Sequence, residues 1–286
     1  MATAAGQRGR HRGLLTLGII LALGGLAAMV FLSITLGSRT TSLAGIVDAF
    51  AHFDPDNTDH AVIRDMRVPR TALGAVVGIA LGLSGTILQG VTRNPLADPG
   101  IMGINAGAAV FVVGGITLLG VNSVSVYVWL AFLGAGVATV VVYGIGSLGR
   151  EGATPVKLAL AGAAVTAGLQ AVTSGVIMLD ANALNELRFW QVGSLAGRYS
   201  PVLWQVLPFI VVGAIAAVAL TRSLNGLALG DEVAAGLGQR VRLTRSVMFA
   251  TVVILSGAAT AACGPIVFLG LVVPHLARMI SGPDYR

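Results

Sequence analysis

The chain has 286 residues, 55% of them hydrophobic and 10% charged, with a mean hydropathy of +0.86. A soluble domain carries about 25% charged residues, so this composition excludes an ordinary water-soluble fold. The net charge of +6 is scattered rather than gathered into one stripe, which argues against nucleic-acid binding, and a sole cysteine, Cys263, allows neither a disulfide framework nor a zinc cluster.

Eight apolar stretches recur along the chain, at 14–36, 70–92, 101–120, 124–148, 156–179, 201–221, 245–263 and 265–280. Helices near 20 residues cross about 30 Å of hydrocarbon. The first stretch lacks charge, ends without a small-residue cleavage site and is too long for a signal-peptide core, so it reads as a retained span. The expected fold class is therefore an all-α polytopic membrane protein with about eight transmembrane helices. Residues 1–13 read as a cytoplasmic N-terminal tail and 14–286 as a single transmembrane domain. With alternating sides and a cytoplasmic N-terminus, twelve of the 18 Lys and Arg residues fall inside and six outside. That is the positive-inside bias.

Between the first two spans, Asp54, Asp56 and Asp59 resemble the start of a calcium loop. The glycine and glutamate needed at loop positions six and twelve are replaced by Asp59 and Asp65, so a solvated loop is expected, with His52 and His60 solvated too. Arg67 and Arg70 flank Pro69 at the outer mouth of the second span, against the charge bias. Two readings stand for them: snorkelling to headgroups, or exposed cations that pair with carboxylates of an external partner. Gly74, Gly78, Gly82 and Gly85 then form a stripe of small residues suited to close helix packing.

The segment RNPLADPGIMGINAG (93–107) interrupts two apolar runs. Pro95 and Pro99 end one helix and limit the return path. Asn94 and Asp98 can satisfy helix-end backbone groups, and Gly100 permits a tight turn, so a rigid inner hairpin is expected. On the fifth span, Thr166, Gln170, Thr173 and Ser174 share one helical face. They read either as hydrogen-bond glue between helices or as the polar wall of a passage.

In the inner segment 222–245, Gly230 precedes Asp231 and Glu232, whose carboxylates suit the positive end of a short helix. Val233, Ala234, Ala235 and Leu237 supply a small apolar face, and Gly238 is a helix stop. Leu229, Gly230, Asp231, Glu232, Ala235, Gly236, Leu237 and Gly238 thus form a candidate docking segment. Its acidic head favours a protein partner over lipid. No catalytic residue, metal site or cofactor is expected: the only lysine, Lys157, lacks a phosphate-loop context, and no intramembrane carboxylate pair is visible. Uphill transport would need energy from another polypeptide.

Four ordered blocks resemble a known family. They are RVPRTALGAVVGIALGLSGTILQGVTRNPLADPGIMGINAGAAV (67–110), FWQVGSLAG (189–197), LALGDEVAAGLG (227–238) and GPIVFLGLVVPHLARMISGPDYR (264–286). The family is that of the membrane permeases of type II ABC importers for ferric siderophores, haem and cobalamin, the FecCD family. The resemblance implies a ten-span permease fold lacking its last two spans here. It also implies a second permease copy or sister permease, two cytoplasmic ATPase subunits, an extracytoplasmic binding protein and a bacterial inner-membrane location. It carries Arg67 and Arg70 onto arginines that meet acidic residues of the binding protein, residues 227–238 onto the ATPase coupling segment, and Thr166, Gln170, Thr173 and Ser174 onto the passage-lining fifth span. The family's last two spans include half the passage wall and dimer contact, so the 286-residue chain is expected not to form a complete importer core by itself. The readings weighed against this one are an ion-coupled secondary transporter and a non-transporting membrane scaffold. Ferric siderophore is the expected substrate, with haem and cobalamin as alternatives.

Overall fold

In lipid the backbone has no water to bond, so apolar runs close their hydrogen bonds internally as helices. The computed structural model describes residues 2–37, 41–149, 154–282 and 284–285. The chain passes through α1 (Ala2–Thr35), α2 (Leu43–Ala51), α3 (Thr58–Ala61), a π-helical turn (Val62–Arg67), α4 (Val68–Thr92), a 3-10 turn (Pro99–Met102) and α5 (Ile104–Leu119). It continues through α6 (Val124–Gly146), α7 (Pro155–Leu179), α8 (Ala181–Gln191) and α9 (Ser200–Ala228). The last three helices are α10 (Asp231–Gly236), α11 (Val241–Cys263) and α12 (Leu269–Ser281). Every expected span has its helix, and among the described residues six helical runs are long and apolar enough to cross a membrane.

Two expected spans are shorter than the sequence indicates. Gly103 (φ 76°) and the Pro99 turn hold 99–103 out of α5, while Gly264 (φ 80°) and Phe268 (φ 68°) hold 264–268 out of α12. At 16 and 13 residues, α5 and α12 rise only about 24 and 20 Å. The expected N-terminal tail is helical: α1 starts at Ala2, and 2–13 forms its first three turns, free of proline although it includes Gly6, Gly9 and Gly13. Arg39, Arg150 and Arg286, used above to assign sides, lie outside the described residues.

α11 is the hub, with 72% of its apolar window buried against α4, α5, α6 and α9. α12 packs on α4, and α7 packs on α5 and α6. Close approach is built on glycine pairs. A Cβ at Gly85 of α4 would collide with the Gly270 carbonyl of α12, and one at Gly107 of α5 would strike the Gly134 carbonyl of α6. Of the glycine stripe on α4, Gly82 also faces α12, Gly74 faces Leu195, and Gly78 meets nothing within 4 Å.

One buried amide explains how α12 can begin beside the hairpin. Pro274 has no N–H for the Gly270 carbonyl, leaving it without its helical donor. Gln89 of α4, 2% exposed, supplies one: its Nε2 donates to Gly270 O at 3.2 Å and Leu271 O at 3.2 Å, and reaches Ala97 O at 3.4 Å. Its Oε1 accepts from Arg278 Nη2. A single side chain on α4 thereby holds both the hairpin and α12.

The segment expected as a solvated loop is largely helical. Ser42 caps α2 by accepting from Gly45 N at 3.0 Å, and Asn57 caps α3 by accepting from Asp59 N. His60 is buried rather than solvated: its Nδ1 accepts from Asp54 N at 3.1 Å, its Nε2 lies 3.4 Å from Asp48 Oδ2, and its ring stacks on Phe53. His52 stays exposed.

Candidate passage wall and coupling face

Three regions collect the residues singled out in the sequence: the open face of α7, the cavity where α4 meets the α8–α9 loop, and the hairpin end of the bundle with α10.

Only 11% of the apolar window of α7 is buried, far less than for α11, so one side of this helix has no cover within the chain. The four polar residues do not share one environment. Helical rotation of about 100° per residue orders them Thr173, Thr166, Gln170, Ser174 across an arc of roughly 100°. The packed edge runs through that arc. Gln170 and Ser174 are exposed, Thr166 is half-buried and faces Gly103, and Thr173 is 5% exposed. Thr173 Oγ1 donates to the Leu169 carbonyl at 3.0 Å. Thr173 is therefore a packing residue that satisfies its hydroxyl within its own helix, which corrects its assignment to the passage.

A second correction concerns Arg67. It is 4% exposed, and its Nη1 donates to Ile34 O at 2.8 Å, Thr35 O at 3.0 Å and Thr41 Oγ1 at 2.8 Å. These carbonyls belong to the last turn of α1, which ends without intrahelical donors, and a cation there also suits the helix dipole. Arg67 is the cap of α1, not an exposed docking group. Arg70 is half-buried, with Nη2 3.5 Å from Ser33 O. It shares with Arg198, from the loop between α8 and α9, a cavity of about 360 Å³ whose wall also includes Met66 and Tyr199. Arg198 brings a buried Nε with no hydrogen-bond partner, a residue that composition alone did not distinguish from other loop cations.

At the opposite end of the bundle, the hairpin is built as its residue types dictate. Arg93 takes the left-handed conformation (φ 52°) that ends α4, and Asn94 Oδ1 accepts from Leu96 N at 2.9 Å. Pro95 lies exposed in the turn. Asp98 Oδ1 accepts from Gly100 N at 2.8 Å and so caps the 3-10 turn that Pro99 opens. Burial holds the Asp98 carboxyl above its ordinary range, partly offset by the Gly100 N–H.

α10 forms where Asp231 and Glu232 supply its acidic first turn, between Gly230 (φ 116°) and Gly238 (φ 82°). Ala234 packs inward at 0% exposure, while Leu229, Val233 and Leu237 stand out at i, i+4 and i+8 as an apolar edge. Ala235 and Gly236 are exposed beside them. Asp231 is fixed from two sides. Arg93 Nη2 donates to Asp231 Oδ1 at 3.0 Å, and Arg245 Nη2 lies 3.0 Å from both carboxylate oxygens. A left-handed conformation is costly for a residue other than glycine; Arg93 holds it where its guanidinium can reach α10. One carboxylate thus links the hairpin, α10 and α11, a triad whose members lie 14 and 138 residues apart along the chain and share no local pattern.

The sequence model of the FecCD transport family matches residues 25–286. The chain belongs to the FecCD transport family. Among relatives of this FecCD protein, the probable siderophore transport system permease protein YfiZ of Bacillus subtilis (strain 168) is 42% identical over 261 residues, covering 91% of this chain and 78% of the relative. The ferric enterobactin transport system permease protein FepD of Escherichia coli (strain K12) is 41% identical over 255 residues, covering 89% and 76%. Among solved structures, an inward-facing ABC transporter described as metal-chelate type aligns with a TM-score of 0.78 at 26% identity, covering 94% of this chain and 83% of that one. This FecCD chain is a multi-pass membrane permease, and the secondary-transporter reading is set aside.

Proposed function

We propose that this FecCD permease forms one wall of the route by which a ferric siderophore enters the cell. The observation that carries the reading is the uncovered face of α7. Gln170 and Ser174 would be costly against lipid but are suited to a hydrated passage, because uncharged polar groups can touch a polar solute without gripping it. YfiZ is named for a siderophore and FepD for ferric enterobactin, which supports iron chelates as the cargo.

In this reading the hairpin end lies in the cytoplasm, with the N-terminus, and a second permease copy or sister chain faces α7 across the passage. Residues 1–13 and 14–286 serve as one membrane unit without a cofactor chemistry of their own. The apolar edge of Leu229, Val233 and Leu237 seats an ATPase subunit, and two such subunits supply the energy for the pair of permeases. An extracytoplasmic binding protein delivers the chelate at the Arg70 and Arg198 cavity, with Arg67 shaping that surface by anchoring α1.

The test is uptake of radio-iron-labelled ferric siderophore by iron-starved cells lacking this gene, with and without its restoration. Loss on deletion and recovery on restoration are expected. Unchanged uptake in cells with no second siderophore importer would overturn the substrate assignment.

A further inference from the structure

A narrow cleft lies where the hairpin, the start of α5, the last third of α11 and the start of α12 meet. Its walls include Asp98, Asn105, Ser256, Thr260 and Gly270, and it has room for about one water-sized occupant. Ser256 is 2% exposed, and its Oγ is buried without a hydrogen-bond partner. Native interiors rarely leave such a hydroxyl orphaned. Thr260, one helical turn farther along α11 and 3% exposed, donates to Asn105 Oδ1 at 3.0 Å, so its own oxygen still has lone pairs to offer.

The charge in this cleft is one-sided. Asp98 receives the Gly100 N–H through Oδ1. Among the described residues no Lys, Arg or His forms an ion pair with it, and no cationic side chain lines the cleft. A half-buried carboxylate without a countercharge calls for a proton or a cation. The surrounding donors are carboxylate, hydroxyl and amide oxygens, which suit hard cations. Calcium takes six to eight oxygen ligands and magnesium keeps several of its waters, more than a cleft with room for one occupant holds, whereas a single carboxylate matches a single positive charge.

We propose that this cleft binds one alkali cation of sodium's size, held by the Asp98 carboxylate, the Ser256 and Thr260 hydroxyls and the Asn105 amide oxygen. The ion neutralises Asp98 and ties the hairpin to α11, beside the point where Gln89 ties the same hairpin to α12. Among the described residues no group of three His, Cys, Asp or Glu side chains is placed to hold a metal ion; this site is made instead of one carboxylate and three neutral oxygens.

The experiment uses the full chain purified in detergent. Binding of radioactive sodium is measured at equilibrium, and melting is compared in sodium chloride, potassium chloride and choline chloride at equal ionic strength. Saturable binding near one ion per chain is expected, with melting raised by about 3 °C over choline at ten times the dissociation constant. Ser256→Ala should weaken sodium binding about tenfold, as loss of one ligand to a charged centre does. Thr260→Val, which keeps the side-chain shape, gives the same reading should Ser256→Ala fail to fold. Equal melting in all three salts without saturable binding would overturn the proposal and leave an ordered water in the cleft. Saturable binding unaltered in both variants would also overturn it by placing the ion elsewhere. Neither readout depends on transport, so the outcome is separate from that of the uptake assay.

Discussion

Gly85→Leu is expected to abolish accumulation of folded permease in the membrane. The new Cβ would meet the backbone of Gly270, not the end of a flexible side chain. Overpacking a core costs about 1–3 kcal/mol when neighbours can shift, but Gly270 is poorly placed to shift. Its carbonyl depends on Gln89 because Pro274 cannot donate, and Pro99 of the hairpin lies against its other side. Moving α12 away would strip that carbonyl of its donor, adding about 1–3 kcal/mol for an unsatisfied buried acceptor. The sum is a large fraction of the roughly 5–15 kcal/mol that holds typical folds together. Gly78→Leu, on the same helix but with nothing within 4 Å of its Cβ, is the control and should accumulate normally. Immunoblots of the membrane fraction and detergent melting curves read the difference; equal accumulation of the two variants would contradict the packing account.

The second large effect concerns coupling. Asp231→Asn should leave the permease folded but reduce siderophore uptake about tenfold, because α10 loses its charged tie to the hairpin and to α11. Charge-assisted hydrogen bonds contribute about 1.5–3 kcal/mol when sheltered, and partial exposure of this triad reduces that to roughly 1–2 kcal/mol. Arg245, 14% exposed by side chain, is the more sheltered partner of the carboxylate. Arg245→Gln should therefore give a similar loss, and the double variant should be no worse than either single one, as expected for residues acting as one unit. Additive losses would show that Asp231 and Arg245 act independently.

How far the sequence carried this account depended on whether the decisive contact was local. Span positions follow from apolar length, and the boundaries of α10 follow from Gly230, the two acidic residues and Gly238, all neighbours in the chain. The hairpin was legible for the same reason: Asp98 caps Gly100 two residues away. Helix α2 was also within reach, since Leu43, Ile46, Val47 and Phe50 recur at i, i+3, i+4 and i+7 behind a Ser42 cap. Arg67 was not. Its ligands, the carbonyls of Ile34 and Thr35, lie more than 30 residues back, and nothing in the pattern around Pro69 distinguishes a helix cap from a docking cation. Thr173 failed for a geometric reason, because helical spacing fixes the angular order of side chains but not where the packed edge falls across them. Gln89 and Ser256 stand in the sequence as ordinary polar residues within apolar helices. Their significance rests on Pro274 and Asp98, which only the tertiary fold brings near.

The central claim, that the open face of α7 borders the route of the chelate, is tested most directly by thiol labelling. Cys263, the only natural cysteine, is 0% exposed, so the native chain provides a quiet background. Gln170→Cys, Ser174→Cys and Thr173→Cys permeases are treated in whole cells with a membrane-impermeant thiol reagent, and uptake of labelled ferric siderophore is measured before and after. The account predicts that the Gln170→Cys and Ser174→Cys proteins are modified and lose uptake, while the Thr173→Cys protein is neither modified nor inhibited. Modification at residues 170 and 174 with uptake intact, or modification at 173 alone, would contradict it.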